Sequence, residues 1–312
     1  MAEIPGNVAR VLSDWGGRRQ YRQHGLLGEC LGLLADIRLG ELPWDSAPKA
    51  QNAAGDGVAR IKTSDTRSVL TFTIQGPGGA PVRVYAKRNL ARNPFRVLVS
   101  LFHRSKSRRE WKIAWKALGA GVPVSTPLAW AERRRGGMAT ESYLVTLGIA
   151  RSVSFRTLWK SLSTPEARCL WVGQLGRFVR SAHDRGFAHD DLSVEHVLVA
   201  TGSAPSGFAP TFHFIDLDQS RLVRRLSPYR RAHNFFQVFR SLPSETFTAQ
   251  ERLAFYEGYS HGTWTEEHIE AFQRAIQWIG RLKRLSNILK VRKRFRRGRS
   301  ERLRMANDAK GR

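Results

Sequence analysis

The sequence predicts an α+β fold of two unequal lobes, a small one built on antiparallel strands and a larger helical one. Three observations predict it. Period-two alternation of apolar residues comes early in the chain, long stretches of helical spacing come later, and 41% hydrophobic content over 312 residues is ample for a sizeable core.

Residues 1 to 54 read as an appendage. A helix is expected around Arg19 to Arg38, and ELPWDSAPKAQNAAGDG after it is a linker by its content of turn residues. VLTFTIQ, Val69 to Gln75, places Leu70, Phe72 and Ile74 on one face and Thr71, Thr73 and Gln75 on the other. GPGG at 76 to 79 turns the chain and VRVYAK at 82 to 87 alternates again, which predicts an antiparallel hairpin. Lys87 ends the second strand, on the face of Arg83 and Tyr85.

In SRREWKIAWKALGAG, Trp111, Ala114, Trp115 and Leu118 fall at i, i+3, i+4 and i+7, one apolar stripe of a helix. Gly119 and Gly121 end it, and Pro123 and Pro127 forbid continuation. SYLVTLG at 142 to 148 is a buried strand. Thr164 caps and Pro165 opens a long helix to about Arg185, with Ala167, Leu170, Trp171, Leu175, Phe178, Val179 and Ala182 along one side and Gly186 as its stop. TFHFIDLD at 211 to 218 is a strand. Thr248 and Thr263 each precede a Glu by three residues, the capping-box signature of two further helices. The divisions expected are 1–54 for the helical and linker extension, 55–149 for the small lobe, 150–290 for the large lobe and 291–312 for a basic tail.

A formal net charge of +26 requires an anionic partner: nucleic acid, an anionic membrane leaflet or a phosphorylated substrate. Residues 281 to 312 hold fourteen Lys or Arg against Glu301 and Asp308, and a second basic run spans Arg88 to Glu110. With Ile276, Ile279, Leu282, Leu285, Ile288 and Leu289, the C-terminal stretch suits a basic helix on an anionic leaflet, or a lobe helix followed by a disordered basic end. No finger, RRM or basic-zipper pattern occurs, so no specific nucleic-acid partner is expected. Cys30 and Cys169 have no C-x-x-C partner, which excludes a disulfide framework or zinc site of that type and fits a reducing compartment. MAEIPGNVARVLSDW lacks the apolar core of a signal peptide, and a soluble cytosolic protein is expected.

Helix and strand propensity do not account for GFAHDDLSVEHVLV, residues 186 to 199, in which two His and three acids crowd into a half-apolar stretch. Phosphoryl transfer accounts for it. That chemistry needs a carboxylate beside the attacking hydroxyl, metal ligands, and a cation on the nucleotide phosphates. Lys87 in VYAK, Glu110 in SRREW, His189-Asp190-Asp191-Leu192 followed by His196, and Asp216 in FIDLD supply these in the order protein kinases use.

Together with RREWKIAWKALGAGVPVSTPLAW, YLVT, AHDRGFAHDDLSVEHVLV and FHFIDLDQSRL, these motifs resemble the lipopolysaccharide kinase family, the Kdo and heptose kinases known as Kdo/WaaP, over roughly residues 58 to 242. The resemblance implies a two-lobed protein-kinase-like fold and phosphorylation, from ATP with magnesium, of a Kdo or heptose hydroxyl of the lipopolysaccharide inner core. It implies a lipopolysaccharide core or lipid A intermediate as partner and, with the charge, a place on the inner face of the inner membrane. Asp191 then accepts or orients the proton of the sugar hydroxyl, Lys87 pairs with the ATP phosphates and is held by Glu110, and Asp216 binds magnesium. His196 stands where most kinases have a magnesium-binding Asn, and imidazole is a poor magnesium ligand.

Two features depart from kinase pattern. KTSDTRSV before Leu70 has no glycine flap, so phosphates are expected to rest on backbone amides or on Arg67 and Ser68. Asp218 replaces the glycine of D-F-G, which leaves open whether Asp216, Asp218 or both meet the metal. Structural alternatives stand beside the functional ones: Ser107-x-x-Glu110 is itself a capping box, His196 suits a hydrogen-bonded core position as well as a ligand, and Glu195 suits a salt bridge. The competing functions are a protein or small-molecule kinase of the same fold, and an inactive kinase-like scaffold.

Overall fold

Seven strands form one antiparallel sheet: β1 (Arg18–Gln23), β2 (Leu26–Leu31), β3 (Ala59–Ser64), β4 (Arg67–Gln75), β5 (Pro81–Leu90), β6 (Pro127–Arg135) and β7 (Met138–Leu147), in the order β1-β2-β6-β7-β5-β4-β3. The computed structural model describes residues 6–23, 26–50, 57–91, 104–200, 210–243 and 247–285. The expected hairpin is β4 and β5, with Val69 opposite Lys87 and Leu70 opposite Ala86. Strand β5 runs three residues past Lys87, because its ladder with β7 continues from Lys87–Leu144 to Leu90–Glu141.

The helix expected over Arg19 to Arg38 is instead β1, β2 and a short 3₁₀ turn at Gly32–Leu34. Pairing decides it. Strand β2 covers the edge of β6, and Leu26, Gly28 and Cys30 face inward at period two while Leu27 is exposed. At Gly28 a Cβ would meet the Trp130 carbonyl oxygen at 1.9 Å, so only glycine lets the strands approach this closely. The turn-rich stretch after it is packed as far as residue 50. Trp44 is buried, donates its indole N–H to the Leu39 carbonyl at 2.9 Å and lies 5.5 Å from the Tyr143 ring; residues 51–56 of that expected linker lie outside the described residues.

Helix α1 (Gly6–Asp14) precedes the sheet, and α2 (Lys106–Gly119) packs beside β6 and β7. Ser105 caps α2 by accepting from the Arg108 N–H at 3.3 Å. The apolar stripe read from sequence divides between two cores. Trp111 and Trp115 join the core under the seven-stranded sheet, whereas Ala114 and Ala117 join that of the large lobe.

The large lobe contains β8 (Ser152–Ser154), α3 (Phe155–Ser161), α4 (Pro165–Asp184), β9 (Phe187–His189), β10 (Val197–Ala200), β11 (Thr211–Phe214), β12 (Ser220–Leu222), α5 (Pro228–Ser241) and α6 (Ala249–Ser260). Residues 266–285 form α7. Small sheets β11-β10-β8 and β12-β9 carry the loops of the site. Phe235 of α5 centres the aromatic core, with ring centroids 4.5 Å from Tyr259, 5.0 Å from Phe255 and 5.2 Å from Phe272.

Three expected details differ. The inward face of α4 is Val172, Leu175, Val179 and Ala182 with Gly173 and Gly176, while Leu170 is exposed. The helix is turned so that its glycines meet α6, where a Cβ on Gly258 would stand 2.0 Å from the Gly173 carbonyl oxygen. The strand expected to reach residue 218 stops at Phe214, because Asp216 takes the left-handed conformation, φ 61° and ψ 60°. Thr248 makes its capping box with Glu251, but α7 starts at 266, two residues past the expected register, with Thr265 Oγ1 2.8 Å from His268 Nδ1. Among the described residues no helix is long and apolar enough to cross a membrane. Ile279 is buried and Leu282 and Leu285 are exposed, while Ile288, Leu289 and the 291–312 tail lie outside the described residues.

Candidate active site

Lys87 projects from β5 on the face opposite Val84 and Ala86, which are buried in the sheet core. Its Nζ lies 2.7 Å from Glu110 Oε1 and 3.5 Å from Asp216 Oδ1, with side-chain exposures of 12%, 7% and 18%. The cap and ion-pair alternatives for Glu110 therefore separate. Ser105 caps α2, Ser107 donates to Ser142 at 3.0 Å, and Glu110 faces Lys87 while also accepting from the Leu217 N–H at 3.2 Å. One carboxylate thus fixes both the strand lysine and the turn that carries Asp216.

Asp216 is the electrostatic centre. Burial raises its carboxyl pKa, but Lys87, Arg67 and His196 outweigh that and hold it well below the usual carboxylate range. Arg67 Nη1 donates to Oδ2 at 2.9 Å. Its left-handed backbone aims the carboxylate into the cleft, and such a conformation in a non-glycine residue costs on the order of 1–3 kcal/mol. Asp218 turns away, 3.7 Å from Lys106 Nζ.

The His189–His196 loop lies between β9 and β10 and is fastened from beneath by α5. Asn234 donates to the His189 carbonyl at 2.9 Å, Gln237 donates to the Asp190 carbonyl and accepts from the Leu192 N–H at 3.3 Å, and Ser241 accepts from the Val194 N–H at 3.0 Å. His189 is buried and donates through Nε2 to the Ile215 carbonyl at 2.9 Å; burial pushes its pKa down, so the ring is a neutral strut. Asp190 pairs with Arg221 and, at 3.3 Å, with Arg230. Asp191 is exposed and its carboxylate has no ion pair among the described residues, so it is free for another group. Glu195 forms the salt bridge expected of it, 2.9 Å from Arg156.

His196 links the two acids. A carbonyl only accepts, so the 2.8 Å contact of Nδ1 with the Asp191 carbonyl puts the proton on Nδ1. Nε2 then faces Asp216 Oδ2 at 3.8 Å. His196 is hydrogen-bonded, as one of the two alternatives read from sequence has it, but is partly exposed and not in the core.

Lys87, Glu110, His196 and Asp216 line a cleft of about 380 Å³, the size of a small-molecule site, and Asp191 is not among its lining residues. Val69 of β4 and Leu198 of β10 bring apolar surface from different sheets, and Leu147, Gly148 and Ile149 form its connecting wall. Magnesium is held by few protein groups together with phosphates and waters, and the Asp216 carboxylate suits it, whereas the imidazole of His196 is a poor ligand for so hard a cation. No cluster of three His, Cys, Asp or Glu that could hold a metal occurs among the described residues.

Sequence reasoning missed Asn234, Gln237 and Ser241, and the Arg221 and Arg230 partners of Asp190. The signal for the first three is present: polar residues at i, i+3 and i+7 of α5, on the side where Phe235 and Val238 are also buried.

Residues 57–259 match the family model described as the lipopolysaccharide kinase (Kdo/WaaP) family. Two curated relatives, each named 3-deoxy-D-manno-octulosonic acid kinase, come from Xylella fastidiosa strains M23 and Temecula1 / ATCC 700964. Each is 26% identical over 140 residues, 45% of this chain and 51% of the relative. The chain spans about half the length of the curated relatives it matches. The solved structure of WaaP in complex with acyl carrier protein is similar, with a TM-score of 0.53 at 20% identity over 71% of this chain and 86% of that one. That likeness shows the fold, the two-lobed kinase-like α+β architecture expected from the sequence.

Proposed function

Because the chain belongs to the lipopolysaccharide kinase (Kdo/WaaP) family, we propose that it transfers the γ-phosphoryl group of ATP to a hydroxyl of a Kdo or heptose sugar in the lipopolysaccharide inner core. The observation that carries this is the convergence of Lys87, Glu110 and Asp216 at the end of the cleft, with His196 tying Asp216 to the main chain of Asp191.

The apolar surface of Val69 and Leu198 would receive the base of ATP, and Lys87, whose charge Glu110 keeps in place, would meet its phosphates. Asp216 holds magnesium, which when bound neutralises charge on the phosphate oxygens. Asp191 accepts or orients the proton of the attacking sugar hydroxyl, from a loop whose backbone is hydrogen-bonded to α5. The stretch 219–243 is basic, with Arg221, Arg224, Arg225, Arg230 and Arg231 and no acidic residue, and Arg221 and Arg230 reach Asp190 next to Asp191. Such a stretch suits a phosphorylated, anionic acceptor.

The chain works at an anionic membrane surface, where such an acceptor is anchored. The charge of residues 281–312 and the exposed Trp278, Leu282 and Leu285, spaced i, i+4 and i+7 on α7, support this. Labelled ATP offered with lipid A carrying Kdo, lipid A carrying Kdo and heptose, a peptide panel and an aminoglycoside tests the proposal. Label on the first or second acceptor is the expected result and names the sugar; label on peptide or aminoglycoside alone overturns the assignment.

A further inference from the structure

In the turn between β3 and β4, Asp65-Thr66, the chain lies over the inner end of the cleft and contains no glycine from residue 58 to residue 75. The turn is also tied down, since the Leu90 N–H donates to the Thr66 carbonyl at 2.9 Å. Ser68, one of the two side chains from which phosphate contacts are expected, is buried at 3% exposure within the β3-β4-β5 ladder. Arg67 reaches from this turn into the cleft, which Lys62 of β3 also lines. Its guanidinium crosses between the lobes to Asp216, 149 positions along the chain, at 2.9 Å, and its Nε is buried with no hydrogen-bond partner.

Asp216 is thereby saturated by cations of the chain itself: Oδ2 by Arg67 and Oδ1 by Lys87 at 3.5 Å. A metal ion on Asp216 must evict the guanidinium, because two like charges do not share one carboxylate oxygen at close range. A guanidinium so released has an unused Nε beside its Nη groups, the fork that binds two phosphate oxygens at once.

We propose that Arg67 is the polyphosphate-binding group of this chain, stored on Asp216 in the metal's place and transferred to the nucleotide phosphates when nucleotide and metal enter together. It does with one side chain what a glycine flap does with backbone amides. Metal without nucleotide binds poorly, since Arg67 then has nowhere to go. Nucleotide with metal binds well, since each vacates the place the other needs. The two ligands are therefore positively coupled, and reciprocally so. This rests on the nucleotide-binding reading of the cleft.

Calorimetric titration of the full chain tests it with manganese as the metal probe, with ADP alone and with ADP plus magnesium, on wild type, Arg67→Gln and Arg67→Lys. Arg67→Gln should bind manganese alone about tenfold more tightly and ADP with magnesium about tenfold more weakly, the loss expected for charged hydrogen bonds. Arg67→Lys, which keeps the charge without the fork, should match wild type toward manganese and fall between the two toward the nucleotide. Circular dichroism at the titration temperature establishes that each variant is folded, and Arg67→Lys alone decides the nucleotide limb if Arg67→Gln is not. Loss of manganese and nucleotide affinity together in Arg67→Gln, or wild-type affinity for both, overturns the proposal and leaves the kinase assignment standing. A wild-type chain that binds no nucleotide overturns both.

Discussion

Glu110 Oε1 lies 2.7 Å from Lys87 Nζ in a setting where both side chains are nearly closed to solvent. The bond joins α2 to β5 across 23 residues of chain, and the same carboxylate oxygen receives the Leu217 N–H from the opposite lobe. Replacing Glu110 by Gln leaves Lys87 with the more distant Asp216. The loss should be about 3 kcal/mol of folding stability, the low end for breaking one side of a buried pair. Urea denaturation of wild type and Glu110→Gln measures it, and nucleotide affinity should fall in parallel.

Asp191 behaves oppositely. Its side chain is exposed and supports no ion pair among the described residues. Asp191→Ala should leave stability within about 0.5 kcal/mol while lowering phosphoryl transfer by roughly 10²–10⁴-fold, the usual worth of a general base. Unchanged turnover in the labelled-ATP assay would remove Asp191 from the proposed chemistry.

Acid should loosen the support of the His189–His196 loop through His183, which contacts the Asn234 that holds the His189 carbonyl. This ring is buried, donates from Nε2 to Asn234 Oδ1 at 2.9 Å and meets the Tyr259 hydroxyl through Nδ1 at 2.9 Å. Burial pushes its pKa down to about 4, with Asn234 opposing the shift. An unfolded His takes up a proton as pH falls through about 6.5, whereas the folded ring stays neutral to about 4, so stability is lost as pH falls across that window. The loss reaches about 3 kcal/mol. His183→Gln should flatten the dependence of unfolding free energy on pH between 6.5 and 4 by about one proton.

Removing residues 291–312 deletes ten Lys or Arg against two acids. Binding to vesicles containing phosphatidylglycerol should weaken about tenfold or more at low salt and much less at high salt, because each basic residue near such a surface contributes about 1 kcal/mol before screening. Co-sedimentation at two ionic strengths is the check. Insensitivity to salt would exclude electrostatic anchoring by this segment.

Asp191 and Asp216 were legible as candidates because solvation explains a carboxylate poorly after an apolar strand or before LSVEHVLV, whereas Lys87, which alone reads as a solvated strand-end lysine, stood out only through its place in an ordered set that matches a known chemistry. Arg67 was legible only as one phosphate contact among several. Its pairing with Asp216 depends on how two lobes face each other, which no local pattern records. The strands β1 and β2 were hidden because the apolar run from Leu26 to Ile37 serves either period, and only the partner strand β6 decides. On α4 the expected face holds at Leu175, Val179 and Ala182, with Trp171 and Phe178 packed at its edge, and fails at the exposed Leu170, while Gly173 and Gly176 of the inward face were not singled out. Helix packing there is set by the absence of side chains at Gly173 and Gly258, and apolar periodicity does not score absence.

The two sides of α2 differ in texture. Trp111 and Trp115 key the helix into the sheet, while Ala114 and Ala117 offer the large lobe a smooth bearing. Any rocking that widens the cleft will therefore slip along the alanine side. Lys87 and Glu110 will ride together with the sheet, and the Leu217 and Arg67 contacts will be the ones stretched.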